Sequence, residues 1–122
     1  MQAFLNTAIQ AARKAGDIAQ INSDRISSSD VRTKAYNEFV THVDEQAEKA
    51  IIDLIRSRYP DHSILGEEHG MQDNDSEFLW IIDPIDGTTN YIHGFPVYCV
   101  SIALKIKDRL EVAVIYDPSR QE

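Results

Sequence analysis

Residues 80–90 read Trp80-Ile81-Ile82-Asp83-Pro84-Ile85-Asp86-Gly87-Thr88-Thr89-Asn90. The apolar run that leads in, Phe78 to Ile82, predicts a strand covered on both faces. That strand stops abruptly at two carboxylates, Asp83 and Asp86, on a tight turn at its carboxyl end, where open α/β sheets collect ligands. Pro84 stiffens the turn, and Gly87 lets the backbone approach a ligand closely. Thr88 and Thr89 offer hydroxyls. A helix starting there would free the amides of Gly87 and Thr88 as a small anion nest. A bare D-P-x-D-G also fits an ordinary Asx-Pro turn with a helix cap. Carboxylates beside phosphate-facing amides need a cation between them, and magnesium in that place fits phosphoryl transfer to water.

Upstream, apolar residues from Phe4 to Ala19 recur at helical spacing, predicting an amphipathic helix over 3–21. The polar stretch 22–30 is turn-prone and predicts a loop or edge strand around Ile26 and Val31. A second helix is expected from Thr41. Thr41 and Asp44 resemble a capping box, and Val43, Ala47, Ala50, Ile51 and Leu54 supply its apolar stripe. Pro60 ends it, since the residue before a proline avoids the helical conformation. Ser63–Leu65 reads as a short strand, Gly66-Glu67-Glu68 as the turn after it, and 69–77 as a polar surface loop. Downstream, 97–106 and 110–116 form an expected hairpin turning at Lys107-Asp108-Arg109. Helices first and strands later predict an α+β layered domain spanning 1–122.

Composition sets the outer bounds. Hydrophobic residues at 43% and charged ones at 26% fit a globular chain and exclude wholesale disorder. The single cysteine, Cys99, cannot form an internal disulfide and reads as a small core residue. The amino terminus has neither the apolar core of a signal peptide nor that of an anchor, so no membrane role and a cytoplasmic location are expected. A net charge of -8 repels nucleic acid and bare phosphate esters. Direct nucleic-acid binding is therefore not expected, and an anionic substrate would need divalent cations as intermediaries. An acidic surface also serves solubility alone. His42, His62, His69 and His93 lack zinc-like spacing and read as surface or packing residues.

The whole string WIIDPIDGTTNY resembles the first signature of the inositol monophosphatase family. Lys34 with Asn37–Asp44, Tyr59-Pro60-Asp61-His62, and Gly66-Glu67-Glu68-His69-Gly70 fall where that family has matching features. The resemblance covers essentially the whole chain. ARKAG at 12–16 and AVIYDPSRQE at 113–122 are similar to the bacterial SuhB branch. It implies the layered α/β sandwich of the inositol monophosphatase and fructose bisphosphatase type, here its amino-terminal half. It further implies Mg2+ held by Glu67, Asp83 and the Ile85 carbonyl, with a second ion on Asp83 and Asp86. Gly87 and Thr88 would present amides to the phosphate, with Asp86 and Lys34 near the substrate. Thr88 and Asp44 would orient the attacking water beside Glu67, and water acidified by a cation needs no histidine base. Asp44 alone also reads as a helix cap, and Glu67-Glu68 as a solvated loop end.

The implied activity is hydrolysis of a sugar or polyol phosphate, foremost myo-inositol monophosphate, with lithium sensitivity and a homodimer in the full-length protein. The SuhB branch implies a second role, in ribosomal RNA transcription antitermination beside Nus factors and RNA polymerase. Family members are longer, and a second tryptophan-aspartate signature that completes their metal site does not occur here. The chain is accordingly expected to be a fragment, feeble or inactive alone, with an uncovered sheet edge and apolar face. Glu38 stands where relatives commonly have aspartate, and Ala35-Tyr36 replaces a smaller stretch, which leaves open the loop geometry expected around Lys34.

Overall fold

The computed structural model describes residues 1–27, 33–86 and 99–117, with side chains for 1–21, 42–83 and 99–117. Two helices, α1 (Gln2–Ser27) and α2 (Thr33–Arg58), precede five strands. The strands are β1 (Ser63–Gly66), β2 (Gly70–Gln72), β3 (Phe78–Asp86), β4 (Cys99–Ile106) and β5 (Arg109–Tyr116). They form one mixed sheet in the order β2-β1-β3-β4-β5. Only β1 and β3 run parallel. β2 folds back antiparallel to β1 and returns the chain to the end where β1 began. A five-residue link can then start β3 without a crossover helix. Ser63 and Asn74 lock that link: the Asn74 amide donates to Ser63 Oγ at 2.9 Å, and its side chain donates to the His62 carbonyl at 3.0 Å.

Both helices lie on one face of the sheet. Alternate strand residues meet them: Trp80 and Ile82 of β3, Val100, Ile102 and Leu104 of β4, and Val112 of β5 are buried. Ala8, Ala11, Ala12, Ala15 and Ala19 line the inner face of α1 with no exposure. Side chains this small let helix and sheet backbones come close. Arg58, in the last turn of α2, ties the helices together, donating to Thr7 Oγ1 at 3.0 Å and also to Gln10. Among the described residues nothing covers the opposite face, where Leu65 and Met71 are exposed and Leu79 and Ile81 half-buried. Among the described residues β3 is thus covered on one face, less burial than its continuous apolar run predicts. No helix among the described residues is long and apolar enough to cross a membrane.

Several boundaries differ from the sequence expectation. α1 continues through the polar residues to Ser27, so Ile26 is helical; Val31 lies outside the described residues. α2 starts at Thr33, eight residues before the expected cap. Asp44 is therefore mid-helix, where no free amide needs capping, and Lys34 is in a first helical turn rather than a loop. The 69–77 segment contains β2, because the tight return after β1 offers a pairing edge that propensity does not reveal. β3 runs on past Asp83 to Asp86.

Candidate functional site

Parallel pairing brings the first two carboxylates together. Gly66 of β1 pairs with Ile82 of β3, and the next residue on each strand is acidic: Glu67 and Asp83. Asp83 then pairs with Ser101, and Asp86 with Cys99. Three steps on β3 thus oppose two on β4, and the extra residue is a β-bulge around Pro84-Ile85. A bulge is where a central strand tolerates a proline, which has no N–H for the ladder. It also turns the backbone of Ile85 and Asp86 away from the regular pleat.

The covering helix adds Asp44. Its carboxyl is pushed up from 3.8 to about 7, first by burial and then by the like charges of Glu68, Glu67, Asp83 and Glu48. Asp44 Oδ1 is buried with no hydrogen-bond partner among the described residues. The Glu68 carboxyl is also pushed up, by desolvation first and then mainly by Glu48 and Glu45. A buried carboxylate oxygen without a donor, faced by four more carboxylates, is costly alone. Around a hard divalent cation, which takes carboxylate, carbonyl and water oxygens, the same donors are well matched. The set fits magnesium in chemistry. Among the described residues no three His, Cys, Asp or Glu side chains already form a cation cage.

Of the residues implied by the sequence, Asp44, Glu67 and Asp83 share one end of the sheet. The Ile85 and Asp86 backbones lie in the bulged end of β3, while the Asp86 side chain, Gly87, Thr88 and the Lys34 side chain lie outside the described set. Two histidine readings sharpen. His62 packs between Tyr59 and Phe78, with ring centroids 4.8 and 4.3 Å away. His69 meets a residue that the sequence reading overlooks, Glu48.

Glu48 has no exposure. Its Oε2 accepts from the backbone amides of Glu68 and His69, each at 2.9 Å, and lies 2.6 Å from His69 Nδ1. Residues 67–69 are the three-residue connection between β1 and β2, with Gly70 at φ 73° completing the turn. Gly66 is needed for a different reason: a Cβ there would overlap Glu48 Oε1. One signal was available in the sequence. Glu48 is a charged residue between Ala47 and Ile51, on the buried stripe of α2.

Two helices on one face of a mixed sheet, with an all-oxygen acidic cluster at one sheet end, define the layered α+β class to which inositol monophosphatases belong. The family profile described as "Inositol monophosphatase family" matches residues 1–122, and the chain belongs to that family. It is 49% identical over 123 residues to the Nus factor SuhB of Escherichia coli, covering all of this chain and 46% of that protein. Its fold is similar to the inositol monophosphatase of Anabaena (Nostoc), with TM-score 0.82 and 42% identity, over 99% of this chain and 42% of the other. It is also similar to the extragenic suppressor protein suhB of Bartonella henselae, with TM-score 0.84 and 34% identity, over 98% of this chain and 46% of the other. The chain spans about half the length of the curated relatives it matches.

Proposed function

We propose that these carboxylates serve a magnesium-dependent phosphate-monoester hydrolase that acts on a polyol phosphate, foremost myo-inositol monophosphate, in the cytoplasm. One observation carries the reading: the parallel register that makes Glu67 and Asp83 neighbours, under a helix that brings Asp44 to the same place. Glu67, Asp83, Asp86 and the Ile85 carbonyl would hold Mg2+. When bound, it supplies charge neutralisation and Lewis-acid polarisation of the phosphoryl group. Asp44, whose buried Oδ1 has no hydrogen-bond partner among the described residues, would accept a hydrogen bond from water and orient it. Gly87 and Thr88 would offer amides to the phosphate oxygens, and Thr88 would share the water with Asp44. Lys34, at the start of α2, would balance substrate charge. The full-length protein is expected to be a homodimer inhibited by lithium.

The test is phosphate release from myo-inositol 1-phosphate with Mg2+, using a version extended to the full length of the relatives. Asp83→Asn is expected to abolish turnover, because it removes a ligand common to both ions. Retained turnover in that variant refutes the metal assignment.

The name of the curated relatives, Nus factor SuhB, supports a second role as an accessory factor beside Nus factors. By the resemblance to the SuhB branch, that role would be in ribosomal RNA transcription antitermination with RNA polymerase. A charge of -8 suits basic protein partners better than RNA. A pull-down with the full-length Asp83→Asn variant separates the roles: partner capture with catalysis lost supports the second, and capture lost with catalysis denies its independence.

A further inference from the structure

We propose that Glu48 is a positioning residue, whose buried carboxylate fixes the 66–69 connection to α2 and so aims Glu67 at the cation site. The inference rests on the metal-dependent reading above. Burying an ionised carboxylate is costly unless donors surround it. Here all the donors come from one short segment: two amides and one imidazole nitrogen converge on Oε2. Oε1 fills the space left by the missing side chain of Gly66 and has no hydrogen-bond partner among the described residues. The backbone is therefore gripped on both sides of Glu67, by contact at 66 and by hydrogen bonds at 68 and 69. Glu67 itself stays exposed and makes no part of that grip. Only its starting direction is set.

The spacing on α2 gives this grip its purpose. Asp44 and Glu48 are one helical turn apart and share a face. The same rigid turn thus carries a residue that faces the site and the residue that anchors the connection bearing Glu67. A hairpin of this length needs no buried carboxylate for its own sake, and an apolar side chain in that place is often at least as stable. The carboxylate instead fixes the distance between helix and connection.

Mn2+ binding to a version extended to the full length of the relatives, titrated by the loss of the free-ion paramagnetic resonance signal, tests this without any turnover. Residues that orient metal ligands typically change affinity about 10- to 100-fold when removed. Glu48→Ala is expected to weaken Mn2+ binding within that range. Gly66→Ala, which pushes the carboxylate out of place while leaving Glu48 intact, should do the same and keeps the test open if Glu48→Ala does not fold. Glu48→Gln retains an acceptor oxygen for the amides and is expected to rescue most of the affinity. Val112→Ala, a core truncation on β5, controls for destabilisation and should bind like the wild type. If the wild type itself takes up no Mn2+, the metal-dependent reading fails. If it binds and folded Glu48→Ala or Gly66→Ala binds equally well, the positioning role alone is overturned. Equal losses in Glu48→Gln and Glu48→Ala also overturn it, since charge rather than geometry would then be responsible.

Discussion

The two ends of the β1–β3 pair are built on opposite principles. At the end where both strands begin, Phe4, Tyr59, His62, Phe78 and Trp80 form an aromatic cluster in which the Tyr59 hydroxyl and the Trp80 indole nitrogen each meet a hydrogen-bond partner. His62 Nδ1 accepts from Trp80 Nε1 at 3.0 Å, and Phe4 meets Tyr59 edge-on with ring centroids 5.1 Å apart. At the end where both strands finish, Asp44, Glu48, Glu67, Glu68 and Asp83 crowd like charges together. Burial acts on both. It keeps His62 neutral by lowering its pKa against a smaller opposing pull from Asp61. It makes Asp44 reluctant to ionise. One end is consistent at every level, and the other breaks the rules of a stable fold, as functional sites do.

The widest break in this comparison comes from Trp80. It has no exposure and is the largest of the fully buried side chains. Trp80→Ala should cost about 3–5 kcal/mol, the range for truncating a buried large aromatic. Urea unfolding followed by circular dichroism measures it, and a loss below about 1 kcal/mol would mean that the aromatic end does not anchor the fold.

His62→Phe comes next and probes one hydrogen bond within the cluster. The new ring can still stack between Tyr59 and Phe78, but Trp80 Nε1–H loses its acceptor. A buried donor left unsatisfied costs about 1–3 kcal/mol. The sign with pH is definite. The folded pKa of His62 lies below 6.5, so its contribution is complete above the unfolded value and is lost as pH falls through the folded one. Wild type and variant should therefore converge in stability as the solution is acidified. A gap that widens instead would place a protonated His62 in the fold.

How much of each end could be read from residues alone differs for a physical reason. Strand patterns are short-range, and the β4–β5 hairpin lies nearly where its alternation puts it. Its turn is only tighter, with Lys107 and Asp108 both at positive φ and Arg109 already paired with Ile106. Asp83 was legible from the residues, because it closes a recognisable apolar strand. Glu67 was legible only through the family resemblance, since an acidic pair after a short strand also reads as a solvated loop end. The start of α2 was not. Thr41 and Asp44 imitate a cap, yet Tyr36, Val40, Val43 and Ala47 continue a helical spacing through them, and the longer stripe wins. The place of Glu48 on the buried stripe of α2 marked it as unusual, but not its role: its partners include backbone amides some twenty residues away, and no pattern of side chains marks an amide as a partner. Gly66 has the same origin: its reason is the space taken by Glu48, not a turn angle.

Asp44→Asn gives the smallest expected effect and the sharpest contrast between the two ends. The folded pKa of Asp44, about 7, stands above the ordinary 3.8, so the folded state holds the proton more tightly. Its contribution is complete below pH 3.8 and is lost as pH rises through about 7, opposite in sign to His62. Asparagine keeps the shape and removes the titration. Without divalent cations the variant should therefore be more stable than wild type at pH 8. Solvent around the exposed Glu67 and Glu68 screens the repulsion, which limits the gain to about 1 kcal/mol. Adding Mg2+ should shrink that gap, because a cation held by Glu67, Asp83 and Asp86, all retained in the variant, offsets the negative charge that Asp44 faces in the wild type. Thermal unfolding at pH 8, with and without Mg2+, reads both halves. A variant no more stable than wild type in the absence of Mg2+ would show that the acidic end carries no electrostatic strain to relieve.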